Sequence, residues 1–389
     1  MTIRDVNSRR LARTFMELVR TDSPSREEGR AASMVGKMLA SLPATEILED
    51  ASRSRTGSDT GNIVVRLRGN KPAPPLFFNA HLDTVEPGRN IKPELKDGIF
   101  RSDGTTILGA DDKSAVAILI EAAMILAENR IPHGPVEFVF TVCEEIGLLG
   151  AKAFDPALIE ARHGYALDST DTSAIINSAP CAIRFKIRLL GRSAHAGLDP
   201  ENGVNAILIA SRAMAGLQLG RIDEITTANI GVMRGGTATN IVPDEVTVEG
   251  EVRSHDPRRM QQVQDSILAA FHQTVLDWEP SDCDKSGPDR RPAVQTEVTD
   301  DYPLMSVPED NPLITTALAS AEKLGRNLKL AQTGGGSDAN VFNGKGMSTV
   351  IMGVGMQKVH TTSEYILLDD MISTTRLVVE IIQNWPCTA

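Results

Sequence analysis

Ile183-Arg184-Phe185-Lys186-Ile187-Arg188-Leu189 alternates apolar and cationic side chains without a break. A period of two puts the apolar set on one face of a strand and the charges on the other, which predicts a sheet with one wet face. Downstream, Val204, Ile207, Leu208 and Ser211 fall at helical spacing, a strand is expected near 226–233, and a second alternating strand carries Val246, Val248 and Val252. Asp256-Pro257 then opens a helix with Met260, Val263, Ile267 and Phe271 on one stripe. Beyond a charged loop at 278–292, a last strand is expected near 294–298. The order β-α-β-β-α-β predicts a ferredoxin-like α+β unit over about 179–305.

Both flanks read differently. The runs 62–67, 75–80 and 136–142 are short, apolar and bounded by Gly or Pro, as strands buried on both faces should be. Leu11, Phe15 and Leu18 share one helical face, and Ala31, Met34, Met38 and Leu42 another. Asp112 is placed to cap a helix running to about 127. Helix and buried-strand patterns resume at 313–324 and 349–354. Residues 1–178 and 306–389 therefore predict one α/β domain, a helix-covered central sheet, with the α+β unit inserted into it.

The chain's 389 residues exceed the roughly 250–300 at which a single core stops growing, so two domains are expected. Forty Lys and Arg against 51 Asp and Glu leave a formal charge of −11. No basic block is present to neutralise phosphates, which argues against a nucleic-acid partner. No apolar run approaches the ~20 residues of a membrane helix. Arg4, Arg9, Arg10 and Arg13 are interrupted by Asp5 and read as the start of a helix, not an address. Cys143, Cys181, Cys283 and Cys387 are far apart and form no CxxC pair, which predicts a reduced, cytoplasmic chain.

Five short segments concentrate metal-binding residue types: His81-Leu82-Asp83, Gly109-Ala110-Asp111-Asp112-Lys113, Glu144-Glu145, Leu167-Asp168 and Val359-His360. Four of them follow a buried apolar strand, where an α/β sheet exposes its ligand-facing loops. Any one alone reads as solvated loop residues. Together they offer two imidazoles and at least three carboxylates, an N/O set that suits Zn²⁺, with Mn²⁺ or Co²⁺ as substitutes.

Several motifs, in order, resemble the M20 metallopeptidase family, and within it the peptidase T and peptidase T-like branch. They are His81-Leu82-Asp83-Thr84-Val85, Gly109-Ala110-Asp111-Asp112-Lys113-Ser114, Glu144-Glu145-Ile146-Gly147, Gly191-Arg192-Ser193-Ala194-His195-Ala196-Gly197, Thr239-Asn240-Ile241-Val242-Pro243-Asp244 and Gly334-Gly335-Gly336-Ser337-Asp338-Ala339-Asn340. The context Glu86-Pro87-Gly88, with 104–109 leading directly into Ala110, is more similar to the peptidase T-like group than to peptidase T proper.

The resemblance implies a zinc-peptidase domain with an inserted lid and dimerisation domain, and two Zn²⁺ per chain. His81, Asp111 and Asp168 would hold one metal, and Asp111, Glu145 and His360 the other. Two metals ~3.5–4 Å apart need a shared anion, here Asp111. Four positive charges against three ligand carboxylates leave a surplus that acidifies water toward neutral pH. Asp83, two residues from His81 on an extended segment, would orient that imidazole. Asp111-Asp112 resembles a pair that family members join by a non-proline cis peptide.

Glu144 resembles the family's general base, taking a proton from water and returning it to the leaving amine. His195 resembles a lid histidine that reaches across a homodimer to the tetrahedral oxyanion. Asn240 and Arg253 match lid positions that bind the substrate carboxylate, and Gly335 lies in a glycine turn whose amides suit a substrate carboxylate or amine region. The reading is a dinuclear zinc exopeptidase acting on short peptides from the N-terminus. The alternatives are a carboxypeptidase or N-acyl amino acid amidohydrolase of the same family and, outside catalysis, a metal-free peptide-binding relative. Asp168, where several carboxypeptidases and deacylases of the family carry Glu, favours the aminopeptidase or small-peptide reading.

Overall fold

A computed structural model describes residues 6–43, 45–279 and 291–386. Cys283 and Cys387 lie outside the described residues. The chain divides into two compact units, 1–179 with 305–389, and 180–304.

The first unit is built on a mixed sheet. In spatial order its strands are Thr45–Glu49, Ile63–Leu67, Val136–Thr141, Leu76–His81, His163–Ser169, Ser348–Gly353, Ala174–Ala179 and Met305–Ser306, with Lys329–Gln332 paired to Ala174–Ala179. Leu76–His81 runs parallel to both of its neighbours, Val136–Thr141 and His163–Ser169. Every residue of Leu76–His81 and of Val136–Thr141 is buried, as their largely apolar runs predict, and the burial extends to Asn79 and Glu137 within them. Phe78 stacks on Tyr165 at 5.4 Å between centroids, and the buried Tyr165 hydroxyl donates to Leu313 O at 2.6 Å. The parallel directions bring the carboxyl ends of three adjacent strands, at Thr141, His81 and Ser169, to one edge.

The helix Ala110–Glu128 packs on the Leu76–His81 strand and under the helices Ser8–Val19 and Leu368–Asn384. Covered on so many sides, it is apolar all round and not striped. Asp112 does not cap it. Gly109 is the cap residue, Asp111 (φ −78, ψ 104) and Asp112 (φ −120, ψ 22) are non-helical, and Asp112 Oδ2 instead accepts the His81 N–H at 3.1 Å. The helix Gly29–Leu39 buries Ala31, Ala32, Val35 and Leu39; of the expected face Ala31 and, beyond the helix, Leu42 are buried, while Met34 and Met38 are half-buried against the same core, so the inward face is wider than expected and includes Ala32 and Val35. Among the described residues no helix is long and apolar enough to cross a membrane.

The second unit is an antiparallel sheet of five strands in the order Gly220–Asp223, Thr226–Gly235, Glu245–Ser254, Cys181–Leu190 and Ala293–Tyr302. Taken in chain order, its four long strands lie 2-3-1-4, the ferredoxin-like arrangement; the short edge strand Gly220–Asp223 is additional. Ile183, Phe185, Ile187 and Leu189 are buried against the helices Ala206–Ala215 and Pro257–Leu276. On the opposite face Arg184 pairs with Asp301 at 2.8 Å and Arg188 with Glu245 at 2.9 Å. The helix Ala206–Ala215 turns Ile209, Ala210 and Ala213 inward; of the expected face Val204 is buried and Ile207 half-buried, while Leu208 is 48% exposed.

Candidate active site

His81 is the last residue of its strand and is buried. Its Nδ1 lies 3.0 Å from the main-chain oxygen of Asp83 and 3.4 Å from the Asp83 carboxylate. Donation of the Nδ1 proton to Asp83 leaves a lone pair on Nε2, and Nε2 faces Asp111 Oδ1 at 3.0 Å. The second oxygen of Asp111 meets His360 Nε2 at 3.2 Å, and the same nitrogen lies 3.1 Å from Glu145 Oε1. One carboxylate thus stands between two imidazoles, one oxygen to each. The Asp111-Asp112 peptide is cis, as the resemblance implies, and so is Glu86-Pro87.

The donor set fits a metal. His81, Asp111 and Glu145 each offer an atom, all within 4.8 Å of one another. Two ligands bound ~2.0–2.1 Å from one Zn²⁺ stand about 3–3.4 Å apart, the range of the three separations just given. The charge balance agrees. Burial pushes the carboxyl of Glu144 well above the usual range, and Glu145 and Asp112 rise for the same reason. Asp168 is pushed up to about 7, first by burial and then by the charge of Asp111. Burial also opposes ionisation of Asp111, but its hydrogen bonds with His360 and His81 hold it well below the usual carboxylate range. The carboxylates Asp111 and Glu145 raise His360 to about 10. A site that crowds this many carboxyl groups and lifts their pKa values is one that cations relieve.

The other expected residues fall in two places. Glu144 and Glu145 follow the end of Val136–Thr141, and both amides are gripped by Asp83, whose Oδ1 accepts from Glu144 at 2.9 Å and Oδ2 from Glu145 at 3.2 Å. Asp168 lies near the end of His163–Ser169 and is half-buried. Gly335 precedes Ser337, whose hydroxyl caps the short helix Asp338–Gly344. In the second unit His195 and Asn240 come together: the Ala196 N–H donates to Asn240 O at 2.9 Å, and His195 bridges to Ile241. His195 is exposed, and its Nδ1 accepts from Gly197 N at 3.2 Å and Leu198 N at 3.1 Å. The neutral ring therefore carries its proton on Nε2. Arg253 is half-buried and pairs with Glu251 at 2.9 Å.

Residues 77–384 match the model of peptidase family M20/M25/M40. The chain belongs to this family. It is a hydrolase of the M20 metallopeptidase type and is similar to aminopeptidase PepT from Bacillus cereus, with 42% identity, a TM-score of 0.87 and coverage of 97% of this chain and 99% of that one. A tripeptidase from Staphylococcus aureus is 37% identical with a TM-score of 0.90, over 97% and 98% of the two chains. The Bacillus subtilis protein YqjE is 41% identical over 97% of this chain and 99% of its own length.

The M20 site also rests on residues that carry no motif. The buried carboxylate of Glu28 accepts from Ser58 Oγ at 2.5 Å and from Cys143 N at 2.9 Å, holding the residue before Glu144, which sits at φ 54. Ser25 Oγ donates to Asp83 Oδ2 at 2.6 Å, and Ser23 Oγ to Leu82 O at 2.7 Å. Glu364 is buried against the segment that carries Asp111. The run Ser23-Pro24-Ser25 before a helix signals a turn, but nothing in it points to a partner 58 residues further on.

Proposed function

We propose that this chain is a dinuclear zinc exopeptidase that releases residues from the N-terminus of short peptides. The observation that carries the reading is Asp111, whose two oxygens face His81 and His360 separately at 3.0 and 3.2 Å. His81, Asp111 and Asp168 would hold one ion, and Asp111, Glu145 and His360 the other. Two bound cations would supply Lewis acidity toward the scissile carbonyl and lower the pKa of water.

The chain's own groups do the rest. Glu144 takes a proton from the attacking water and passes it to the leaving amine, and burial that raises its pKa suits a group that must hold that proton in between. Asp83 keeps the proton of His81 on Nδ1 and sets the start of the Glu144-Glu145 segment. His195 presents an Nε2 proton for an oxyanion, donated across a homodimer formed through the second unit. Asn240, Arg253 and the amides near Gly335 bind the peptide's polar ends, with Glu251 as the partner that a substrate carboxylate must displace from Arg253.

Similarity to PepT-like aminopeptidases and tripeptidases supports free short peptides as substrates. The test is a zinc-loaded panel of free tripeptides, N-blocked tripeptides and N-acyl amino acids, with products identified by mass. Release of the N-terminal residue from free tripeptides, with N-blocked analogues inert, is the expected result. Preference for N-acyl substrates, or release from the C-terminus, replaces the aminopeptidase reading by the amidohydrolase or carboxypeptidase one.

A further inference from the structure

We propose that Glu364 is the positioning residue that sets Asp111, an inference that rests on the reading of Asp111 as the ligand shared by two metals. Glu364 is 1% exposed, and its carboxylate accepts three hydrogen bonds from one stretch of backbone. Oε2 accepts from Leu108 N at 2.7 Å and Gly109 N at 2.8 Å, and Oε1 accepts from Asp111 N at 3.0 Å.

That stretch needs an external acceptor. Gly109 is left-handed at φ 75, and Asp111 and Asp112 depart from helical geometry, so the helix ladder does not hold this entry turn. The first amides of a helix lack intrahelical partners, and buried amides must find them elsewhere. A carboxylate, with two acceptor oxygens, fills that role. Glu364 also lies four residues after His360, and its own N–H donates to Thr361 O at 3.1 Å. A single side chain therefore ties the loop bearing His360 to the backbone bearing Asp111. The two groups so joined face each other at 3.2 Å.

Glu364→Gln keeps the shape but leaves one oxygen, so whichever way the amide turns, at least one backbone N–H meets another donor. Glu137→Gln is the control. Glu137 is also buried and accepts the backbone amides of Glu160 and Ala161, together with Arg66 Nε at 3.1 Å, but near the start of the Val136–Thr141 strand, away from its carboxyl end. Zinc affinity is read by competition with a chromophoric chelator, and stability by urea unfolding of the metal-free chains. Both variants should lose stability. Only Glu364→Gln should also weaken zinc binding, by about 10- to 100-fold, with Glu137→Gln within about threefold of the parent.

Equal zinc affinity in the two variants makes Glu364 merely structural and overturns the proposal. Should Glu364→Gln fail to fold, Glu364→Asp serves: it keeps both oxygens one methylene short, weaker zinc binding is expected, and unchanged binding overturns the idea. Asp111→Asn separates the two levels. Lost zinc there with normal zinc in Glu364→Gln removes only the role of Glu364. Retained zinc in Asp111→Asn removes the shared-ligand reading and the proposal with it.

Discussion

Asp83 holds the backbone of Glu144, its Oδ1 accepting the Glu144 N–H at 2.9 Å while its Oδ2 accepts that of Glu145 at 3.2 Å. The main-chain oxygen of Asp83, not its carboxylate, makes the closer approach to His81 Nδ1. The carboxylate therefore acts chiefly on where the two glutamates begin.

Asp83→Asn loses one of the two acceptors and turns an NH₂ toward a backbone donor. Turnover is expected to fall roughly 10–100-fold with zinc retained, because the imidazole keeps its main-chain partner. Steady-state kinetics with metal analysis on the same preparation checks this; kcat within threefold of the parent would count against it.

Glu144→Ala should keep two zinc ions per chain and lose turnover by about 10²–10⁴-fold, since it removes proton transfer and no ligand. His360→Ala should lose zinc as well, because His360 Nε2 faces both Asp111 and Glu145. Near-normal kcat in Glu144→Ala would require the roles of Glu144 and Glu145 to be exchanged or dropped.

Asp338 is buried at the start of its helix, with Thr141 Oγ1 donating to it at 2.5 Å, and burial pushes its carboxyl up from 3.8 to about 6. A folded pKa above the unfolded one contributes stability that is fully present below about 3.8 and is lost as pH rises through about 6. Asp338→Asn is neutral throughout. In metal-free protein it should gain on the parent between pH 4 and pH 8, by up to about 3 kcal/mol. Urea unfolding at pH 4, 6 and 8 measures the difference, and a flat or falling difference refutes the claim.

His195→Ala and Glu144→Ala chains, each nearly inactive alone, should complement each other after reassembly. Half of randomly formed dimers are mixed and each has one complete site of two, so recovery should approach roughly a quarter of parental activity if His195 is donated across the dimer. Mixed dimers without recovered activity would place His195 in its own chain's service or outside catalysis.

Whatever depends on a repeat within one segment was legible in the residues. The alternation at 183–189 gave a half-buried strand, the apolar runs at 75–80 and 136–142 gave fully buried ones, and the His and carboxylate motifs clustered where such strands end. What depends on pairing between distant segments was decided only in three dimensions. The sheet order, the extra strand Gly220–Asp223 and the inward faces of Gly29–Leu39 and Ala206–Ala215 all follow from what packs opposite. Asp112 has the residue type and spacing of a cap, yet its oxygen goes to His81 because the tertiary fold supplies a buried amide there. Glu364 is the extreme case: its partners are main-chain amides more than 250 residues away, and a backbone N–H leaves no mark in the residue type that carries it.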